Sequence, residues 1–482
     1  MSMMKDTKLS SVCIPEKDAM PIFPTNFMWG AATSAYQIEG ATSEDGRGPS
    51  IWDHFATMPG ATHQGQTGTL AADHYHRMDD DVSLMAELGL GAYRFSIAWP
   101  RILPDGTGKV NSRGLDFYDR LVDALLARGI TPLATLYHWD LPLALEQRGG
   151  WLSRDTAFAF ADYAEIVARR LGDRIDWWIT HNEPWCAAFL GYGIGVHAPG
   201  VRGMGAASAA AHHLMLAHGL AVPGIRVHTR PSAQVGITLN LGPIYPDDDT
   251  PETAQAWARA DAFVNRWFLD PIFFGRYPYG LFDEQTIPLP PIKQDDLAII
   301  STPVDFLGVN YYSRKVVRAP RVEELDKPGA LGFEEVMQVP GASYTQMGPG
   351  WEVYPAGLTD LLVRLKRDYA PRALIVTENG AAYDDRWDGD QIQDEQRLAY
   401  IRDHIQALGQ ALDQDVPLRG YFLWSLLDNF EWCEGYSKRF GMIYVDYETQ
   451  RRVVKASGRW YGDFVTAQYE RQLWPLLFVT AD

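Results

Sequence analysis

The chain has 482 residues, of which 46% are hydrophobic and 22% are charged, proportions that are ordinary for a globular protein. Its 43 basic and 61 acidic residues leave a formal charge of −18, which argues against nucleic acids and anionic membranes as partners. No apolar run reaches the ~18 residues that a membrane-spanning helix needs.

Cysteine usage and the N-terminal sequence bear on location. Cys13, Cys186 and Cys433 are too few and too scattered for a disulfide framework or a metal site. The first 20 residues include charged side chains and lack an apolar core, so no secretory signal is predicted. We therefore expect a cytoplasmic protein with a poorly ordered N-terminal extension over residues 1–21. No linker-like tract divides residues 22–482, which are predicted to form one domain.

Strand-like apolar runs alternate with amphipathic helical stretches along the chain, a pattern typical of a parallel α/β fold. The predicted strands are residues 27–37, 92–98, 131–138, 177–182, 234–239, 306–311, 374–378 and 420–424. The predicted helices are residues 75–88, 115–128, 157–171, 206–228, 253–269, 356–369, 393–412 and 457–469. Gly89, Gly129 and Gly172 follow helical runs, as C-terminal stops do.

About eight strand–helix units match the count of a (β/α)8 barrel, the TIM barrel. Polar or aromatic side chains stand at the C-terminal ends of most predicted strands: Gln37, Arg94, His138, Asn182 with Glu183, Asn310 with Tyr312, Glu378 and Trp424. A barrel gathers such ends around one mouth, whereas the alternative, a doubly wound open sheet, would spread them along a line. We predict a single barrel with extended loops after its strands.

Residues 316–350 form a long stretch without periodicity that contains several glycines and prolines. A loop of this length is usually functional or mobile, so we interpret it as a rim or lid over the mouth, with Trp351 at its exit.

Two glutamates end strand-like runs far apart in the sequence. Glu183 lies in THNEP (180–184) and Glu378 in TENG (377–380). Two facing carboxyl groups are the machinery of glycoside hydrolysis, one as acid and the other as nucleophile or base. Desolvation and the second carboxylate would keep Glu183 protonated, while a nearby Arg94 would keep Glu378 ionised.

Aromatic residues make up 12% of the chain, and many stand beside polar groups, as in YHWD (137–140) and between Trp424 and Trp432. Most of these rings are expected to fill the core. Sugar-binding clefts use the same mixture, because rings stack on apolar sugar faces while polar groups bind the hydroxyls.

Other motifs are weak. His74 and His76 lack a third ligand, the pair at 212–213 is weaker still, and so no metal is predicted. The sequence GYGIG at 191–195 lacks the glycine spacing of a nucleotide loop, and no cofactor is expected. Cys186 is expected to line the leaving-group site, and Cys433 to be a packing residue.

Seven segments together carry a family resemblance: FMWGAATSAYQIEG (27–40), YRFSIAWPR (93–101), LYHWDLP (136–142), NEP (182–184), NYY (310–312), TENG (377–380) and WSLLDNFEW (424–432). Each segment alone is weak evidence for a family, but seven segments in the same order are specific. From Phe23 to Tyr469 the chain resembles the family 1 glycoside hydrolases, the β-glucosidase family.

The resemblance implies a retaining mechanism, in which Glu378 attacks the anomeric carbon and Glu183 acts first as acid and then as base. Arg94 and Tyr312 would hold the nucleophile, Trp424 would form the stacking floor, and Trp351 would contact the leaving group. The expected substrate-binding residues are Gln37, His138, Trp139, Asn182, Asn310, Tyr312, Trp351, Trp424, Glu431 and Trp432.

Three positions refine the resemblance. The resemblance implies that Glu431 faces the 4- and 6-hydroxyls of the sugar. The 6-phospho-glycosidase branch usually has serine there, so Glu431 implies an unphosphorylated sugar. Glu183 excludes the myrosinase-like variant, which has glutamine there. His181 replaces an apolar or aromatic residue, and strand alternation points it away from the side of Asn182, so we expect packing rather than a proton relay.

We expect a retaining, exo-acting β-glucosidase for cellobiose, short oligosaccharides and aryl or alkyl β-glucosides, with small β-glycosides as its partners. A broader β-galactosidase or β-fucosidase, or a transglycosylase, is the alternative on the same site. The alternative outside enzymes is a sugar-binding protein on an inactive barrel, which would not need two strand-end glutamates. Leaving-group preference and oligomeric state stay open.

Overall fold

The computed structural model describes residues 20–283, 286–325, 330–387, 389 and 391–477. Within them, a closed barrel of parallel strands confirms the predicted fold. The barrel strands are β1 (Met28–Ala32), β2 (Ala92–Ser96), β3 (Thr131–Tyr137), β4 (Trp177–Asn182), β5 (Gln234–Asn240), β6 (Phe306–Asn310), β7 (Leu374–Asn379) and β8 (Leu418–Trp424). Each strand pairs with its neighbours in sequence, and β8 closes the barrel against β1.

Helices surround the barrel. They are α1 (His74–Glu87), α2 (Ser112–Ala127), α3 (Asp155–Leu171), α4 (Met204–His228), α5 (residues 251–274), α6 (Pro355–Tyr369), α7 (Glu395–Leu412) and α8 (Ala456–Leu477). Helix α5 runs from Pro251–Asp261 through a π turn at Ala262–Arg266 to Trp267–Phe274. In α2, Leu115, Tyr118, Val122 and Leu125 recur at helical spacing and are buried, so a single apolar stripe faces the barrel.

Shorter elements occupy the loops. The helical turns are Ala35–Ile38, Ile51–Phe55, His63–Gly65, Trp99–Ile102, Leu143–Glu146, Gly150–Leu152, Cys186–Ile194, Tyr279–Leu281, Asp296–Ile300, Val322–Leu325 and Trp432–Glu434. The short strands are Ile244–Pro246, Lys315–Arg318, Glu334–Glu335, Ile443–Val445 and Arg452–Val454. Among the described residues, no helix is long and apolar enough to cross a lipid bilayer.

The barrel interior is a packed apolar layer built from alternate strand positions. Its members include Ala32, Ala92, Leu133, Ile179, Phe306, Ile375 and Phe422. Such a layer makes the interior a core rather than a pore, and leaves the C-terminal strand ends to build a site.

An irregularity in β4 turns one side chain toward the barrel axis. The pairing with β5 slips between Ile179 and Asn182. Ile179 packs inside the barrel, whereas Thr180 bonds a histidine of α4 and His181 stacks on a ring of α3. Two successive residues therefore face outward, and this bulge brings Asn182 back to the inside.

Strand β7 has a similar irregularity, between Val376 and Glu378. Thr377 and Glu378 both hydrogen-bond across the barrel interior, while Asn379 bonds Tyr400 of α7 on the outside. Bulges of this kind are common beside active sites, because they re-aim a side chain at the end of a strand.

Three predictions need correction or completion. The first predicted strand ends at Ala32, because the chain then enters the helical turn Ala35–Ile38, where Ala35 N donates to Ser96 Oγ at 2.7 Å. Gln37 therefore lies on a helical turn and not at a strand end. Segment 316–350 contains a strand, Lys315–Arg318, which pairs with Ile244–Pro246 and Glu334–Glu335, so it is not irregular throughout.

Most of the predicted N-terminal extension, residues 1–19, lies outside the described residues. At its end, the carbonyl oxygen of Pro21 accepts a hydrogen bond of 3.1 Å from Gln468 of α8. Phe23 packs edge-on against Trp29 of β1 and Phe464 of α8, so the described part of the chain begins docked on the barrel.

Candidate active site

Both predicted carboxyl groups are buried and line one cavity at the C-terminal end of the barrel. Glu183 follows β4 directly and has a left-handed backbone, with φ of 47°. Trp139 and Trp432, which line the same cavity, also have positive φ, at 76° and 49°. Such conformations cost free energy in residues other than glycine, and they concentrate at functional sites.

Glu378 is held by two donors. Arg94 Nη1 donates to its Oε1 at 2.6 Å, and Tyr312 OH donates to its Oε2 at 2.6 Å. Arg94 also donates to the carbonyl oxygen of Thr377 at 3.1 Å. Burial raises the pKa of Glu378, while Arg94 and the Tyr312 hydrogen bond act in the opposite direction and favour the carboxylate.

Glu183 lies in a different environment. Asn310 Nδ2 donates to its Oε1 at 2.7 Å, and the described residues place no cation in an ion pair with it. Burial and the nearby Glu378 raise the pKa of Glu183 to about 8. Glu183 therefore holds its proton near neutral pH, and of the two carboxyls Glu378 is the one whose partners stabilise the charge.

A chain of amides and hydroxyls crosses the barrel beneath the two carboxyls. Asn310 also donates to Asn182 Oδ1 at 3.0 Å, and its own Oδ1 accepts from Thr377 Oγ1 at 2.8 Å. Arg94 Nη2 donates to the same Asn182 oxygen at 2.6 Å. Side chains of β2, β4, β6 and β7 are thereby locked together, which fixes both carboxyls relative to each other.

The hydrogen bonds also determine the tautomer of His138. Asn182 Oδ1 accepts from Arg94, so Asn182 Nδ2 is the atom that faces His138 Nε2, at 3.1 Å. His138 Nε2 must accept, and its proton therefore lies on Nδ1. Burial and Arg94 lower the pKa of His138 well below its usual range. Nδ1 has no protein partner among the described residues, and His138 lines the cavity.

The cavity has a volume of about 620 Å³, within the range of small-molecule sites. Aromatic rings form much of its wall: Trp139, Trp185, Tyr312, Trp351, Trp424, Trp432 and Phe440. The Trp424 and His138 rings are nearly parallel, with centroids 5.8 Å apart. Flat apolar surface beside fixed polar groups is the combination that sugar-binding sites use.

Glu431 is a third carboxyl in the same cavity, and it is half-buried. Burial, Glu378 and Glu183 raise its pKa to about 8. Gln37 Nε2 donates to Glu431 Oε2 at 3.3 Å, while Gln37 Oε1 accepts from Ser34 at 2.6 Å. Gln37 and Asn182 are fully buried and are not among the cavity-lining residues; they support Glu431 and Asn310 from behind.

Met347 and Gly350 of segment 316–350 line the cavity, as does Trp351 at its exit. Cys186 lines the cavity, as predicted. Cys433, which was predicted to be a packing residue, lines the cavity as well. Cys433 comes directly after Trp432, and a side chain at a cavity rim is both packed and accessible.

His181 lies away from the site, against rings between the barrel and α3. It stacks on Phe160 with centroids 4.4 Å apart and meets Tyr137 and Trp151 edge-on. These are packing contacts. His74 is likewise buried and bonds Asp81 at 2.8 Å. Within the described residues, no group of three or more His, Cys, Asp or Glu side chains could hold a metal ion.

Several cavity residues were not predicted from the sequence: His197, Asn240, Lys315, Glu434 and Phe440. Asn240 is the last residue of β5, one position beyond the predicted strand, and the strand-end rule would have found it had the strand been extended. Lys315 begins a short strand and Glu434 ends a helical turn, while His197 and Phe440 lie on loops. These elements are too short for a periodic pattern to indicate the direction of a side chain.

Comparisons with known proteins find a matching family and several similar relatives. Residues 20–470 match a family described as glycosyl hydrolase family 1. The chain is 51% identical to a thermostable β-glucosidase B from Thermobispora bispora, over 92% of this chain and 90% of that protein. It is 46% identical to a bifunctional β-D-glucosidase/β-D-fucosidase from Bifidobacterium breve, over 92% of this chain and 98% of that one.

A solved structure shows the same likeness in three dimensions. The Thermotoga maritima family 1 glycoside hydrolase, in complex with a cyclophellitol analogue transition state mimic, superposes with a TM-score of 0.88 at 45% identity. The match covers 93% of this chain and 98% of that one. The chain therefore belongs to glycosyl hydrolase family 1 and is a glycoside hydrolase.

Proposed function

We propose that the enzyme is a retaining, exo-acting β-glucosidase in which Glu378 is the nucleophile and Glu183 is the acid/base. The observation that carries the proposal is the unequal environment of the two carboxyls. Arg94 and Tyr312 both donate to Glu378, while Glu183 is buried beside it without an ion-pair partner among the described residues. A charged carboxylate facing a protonated carboxyl is the starting state of the retaining reaction.

In the first step, Glu183 gives its proton to the glycosidic oxygen as the bond from that oxygen to the anomeric carbon breaks. A Glu378 oxygen forms a bond to the anomeric carbon, and the leaving group departs as an alcohol. Tyr312 and Arg94 hold Glu378 in one orientation, so little reorganisation is needed at the moment of attack.

In the second step, the charge of the nucleophile controls the acid/base. The negative charge of Glu378 is one cause of the raised pKa of Glu183. Formation of the glycosyl ester removes that charge, so the pKa of Glu183 falls and the group becomes a carboxylate. Glu183 can then accept a proton from water, whose oxygen attacks the anomeric carbon and releases Glu378.

The sugar hydroxyls would be bound by groups already positioned in the cavity. His138 offers a fixed Nδ1–H, Glu431 is oriented by Gln37, and Trp424 offers a ring face. A cavity of about 620 Å³ suits a terminal sugar and a short leaving group better than a long polymer.

We further propose that the sugar is unphosphorylated. A phosphate would have to enter a cavity that contains the Glu378 carboxylate, and the lining cations Arg314 and Lys315 are already paired with Glu352 and Glu335, which disfavours an added anion. Arg439 is bound to Asp428, and Lys438 donates to a backbone carbonyl at 3.0 Å. Neither of these cations is among the cavity-lining residues that the structure describes.

A broader specificity that includes β-fucosides is the second candidate. The Bifidobacterium breve relative is named for both activities. A fucoside lacks the 6-hydroxyl, so it would lose part of the contact proposed for Glu431. A panel of aryl β-glucoside, β-galactoside, β-fucoside and 6-phosphoglucoside separates the candidates by kcat/KM. Hydrolysis of none of the four would favour the sugar-binding alternative.

A cytoplasmic location is part of the proposal. Cys186 and Cys433 both carry free thiols, which suits a reducing compartment. Fractionation of producing cells tests it, since activity recovered only outside the cytoplasm would contradict it.

Azide capture with two variants tests the assignment of roles. In Glu378→Ala, hydrolysis of an activated aryl β-glucoside should fall by about a thousandfold or more, while sugar binding persists. Azide can enter the space of the lost carboxylate and should form the α-glucosyl azide. In Glu183→Ala, an aryl group that leaves without acid assistance still allows the glycosyl ester to form. Azide should then attack the opposite face and form the β-glucosyl azide.

The stereochemistry of the azide products, read by NMR, decides between the two roles. Exchanged products would reverse the roles of the two glutamates. Near-normal hydrolysis by Glu378→Ala would overturn the mechanism. Glu252→Gln, a substitution on the exposed start of α5, is the matched control and should retain normal hydrolysis.

A further inference from the structure

Six charged side chains form a buried ion cluster behind the loops that follow β7 and β8. Its members are Asp385, Asp394, Arg397, Asp428, Arg439 and Lys455. The three acidic and three basic side chains balance each other in charge. Arg397, Asp428 and Lys455 are fully buried. Burying charges is costly unless the pairing is nearly complete, so such a cluster restricts the elements that carry it to one arrangement.

Lys455 is the centre of the buried ion cluster. Its Nζ donates to Asp428 Oδ1 at 2.7 Å and to Asp385 Oδ2 at 2.6 Å. Asp385 lies on the loop after β7, the strand that carries Glu378, and Lys455 immediately precedes α8. One ammonium group therefore joins two loops of the barrel mouth to the start of the last helix.

Arg397 completes the second half of the cluster. It forms two hydrogen bonds of 2.8 Å with the carboxylate of Asp385 and one of 2.5 Å with Asp394. It also donates to the carbonyl oxygens of Ala381 at 3.2 Å and Arg439 at 2.7 Å. Arg397 thus binds the backbone of both loops as well as their side chains.

Asp428 links the cluster to the sugar-binding wall. It accepts from Arg439 Nη1 at 2.6 Å and from the backbone N–H of Gly441 at 2.9 Å. These contacts tie together the two ends of the segment 428–441, which carries Glu431 and Trp432. The ends approach so closely that a Cβ at Gly441 would lie 2.1 Å from Asp428 N.

None of the six charged residues is among the described cavity-lining residues, whereas Glu431, Trp432 and Phe440 all are. Within the segment, Glu431 N donates to the carbonyl oxygen of Gly435 at 2.7 Å, and Trp432 has a positive φ of 49°. A backbone in this conformation persists only where its surroundings hold it. Gln37 holds the middle of the segment through Asn429, Phe430 and Glu431, and the buried ion cluster anchors its two ends.

We propose that the buried ion cluster holds the segment 428–441 in the shape that presents Glu431 and Trp432 to the sugar, with Lys455 as the positioning residue. This inference rests on the proposed function, because it takes Glu431 to bind the 4- and 6-hydroxyls. The proposal predicts unequal effects on two parts of the sugar. A cluster that loses Lys455 weakens recognition of the hydroxymethyl end of the sugar more than it weakens the reaction at the anomeric carbon.

The test compares an aryl β-glucoside with the corresponding β-xyloside, which lacks the hydroxymethyl group. In Lys455→Met, the ratio of kcat/KM for glucoside over xyloside should fall by about tenfold, the size of one displaced hydrogen bond to a charged group. The loss should appear chiefly in KM for the glucoside. Lys455→Arg keeps the charge and should restore much of the ratio.

Arg154→Met is the matched control. Arg154 binds the fully buried Asp296 through two hydrogen bonds, of 2.8 Å and 2.5 Å, and Asp296 also bonds His212 of α4. Removing Arg154 therefore also breaks a buried ion pair, but at a place that does not touch the segment 428–441. Arg154→Met should lower thermal stability and leave the glucoside-to-xyloside ratio unchanged.

Asp428→Asn keeps the shape of the side chain and provides a second variant if Lys455→Met fails to fold. An unchanged ratio in folded, active Lys455→Met or Asp428→Asn would overturn the role of the cluster. An equal fall in the Arg154→Met control would also overturn it, since the effect would then be general destabilisation. Loss of the azide products in the Glu378 and Glu183 variants would instead overturn the proposed function itself.

Discussion

At the residue scale, Glu183 and Glu378 are chemically identical and are distinguished by their partners. Glu378 accepts from Arg94 and Tyr312, while Glu183 accepts from the neutral amide of Asn310. The first set of donors stabilises a negative charge more strongly than the second, so protonation follows from the hydrogen-bond pattern. The same reasoning places the proton of His138 on Nδ1.

Tyr312→Phe tests this reasoning. The Tyr312 hydroxyl stabilises ionised Glu378, so its removal should raise the pKa of Glu378. Because the nucleophile must be ionised, the acidic limb of kcat/KM should move to higher pH, by about one unit. The alkaline limb reports deprotonation of Glu183 and should move less. The measurement is kcat/KM against pH on an aryl β-glucoside.

Tyr245→Phe is the control for this shift. Tyr245 also donates its hydroxyl to a carboxylate, that of Asp360, but on the outside of the barrel. Its pH profile should match that of the unmodified enzyme. An acidic limb that stays in place in Tyr312→Phe would show that this hydrogen bond does not set the ionisation of the nucleophile.

At the element scale, the ends of β4, β7 and β8 combine irregular backbone contacts with residues of the active site. The bulges turn Asn182 and Glu378 inward. Just beyond β7, the chain passes so close to β8 that a Cβ at Gly380 would lie 1.7 Å from the carbonyl oxygen of Trp424. Only glycine fits there without movement of a backbone that supports the site.

Gly380→Ala should therefore displace the ends of both strands. We expect the free energy of unfolding to fall by about 2 kcal/mol and kcat/KM to fall with it. Gly280→Ala is the matched control, since a Cβ at Gly280 meets no atom within 4 Å. Chemical denaturation of both variants measures the free energy of unfolding, and aryl glucoside kinetics measure kcat/KM. Equal behaviour of the two would contradict the close approach.

At the scale of the whole molecule, three carboxyls with raised pKa values make stability depend on pH. Burial raises the pKa of Asp140 to about 7 and those of Glu183 and Glu431 to about 8. The folded protein therefore keeps these protons to a higher pH than the unfolded chain does. Their contribution to stability is complete in acid and is lost as pH rises through these values.

Glu431→Gln should remove one part of the loss of stability that accompanies a rise in pH. At about pH 4, below the ordinary pKa of glutamate, its melting temperature should match that of the unmodified enzyme. At pH 9 the variant should be the more stable, by a free energy of unfolding on the order of 2 kcal/mol, because no charge has to be buried. Glu252→Gln, on the exposed start of α5, should show no such difference. The same change in melting temperature at both pH values would contradict the linkage.

Much of the architecture could be predicted because it depends on local periodicity. Apolar runs and amphipathic stretches alternate along the chain, and their order is sufficient to predict the barrel. The ends of the individual strands were predicted less accurately. Gln37 was placed on a strand although it lies on a helical turn, and Asn240 was missed by one position. Both errors occur where a strand ends and the periodic signal stops.

The sequence by itself determined the class of fold, the family and the residue types gathered at the mouth of the barrel, because these follow from spacing and motif. Only the tertiary structure decided which groups touch. Arg94 reaches Glu378 across the interior because the barrel closes, and Lys455 joins two loops because both fold back onto the start of α8. Protonation and loop shape depend on such contacts, which join residues distant in sequence and leave no periodic trace.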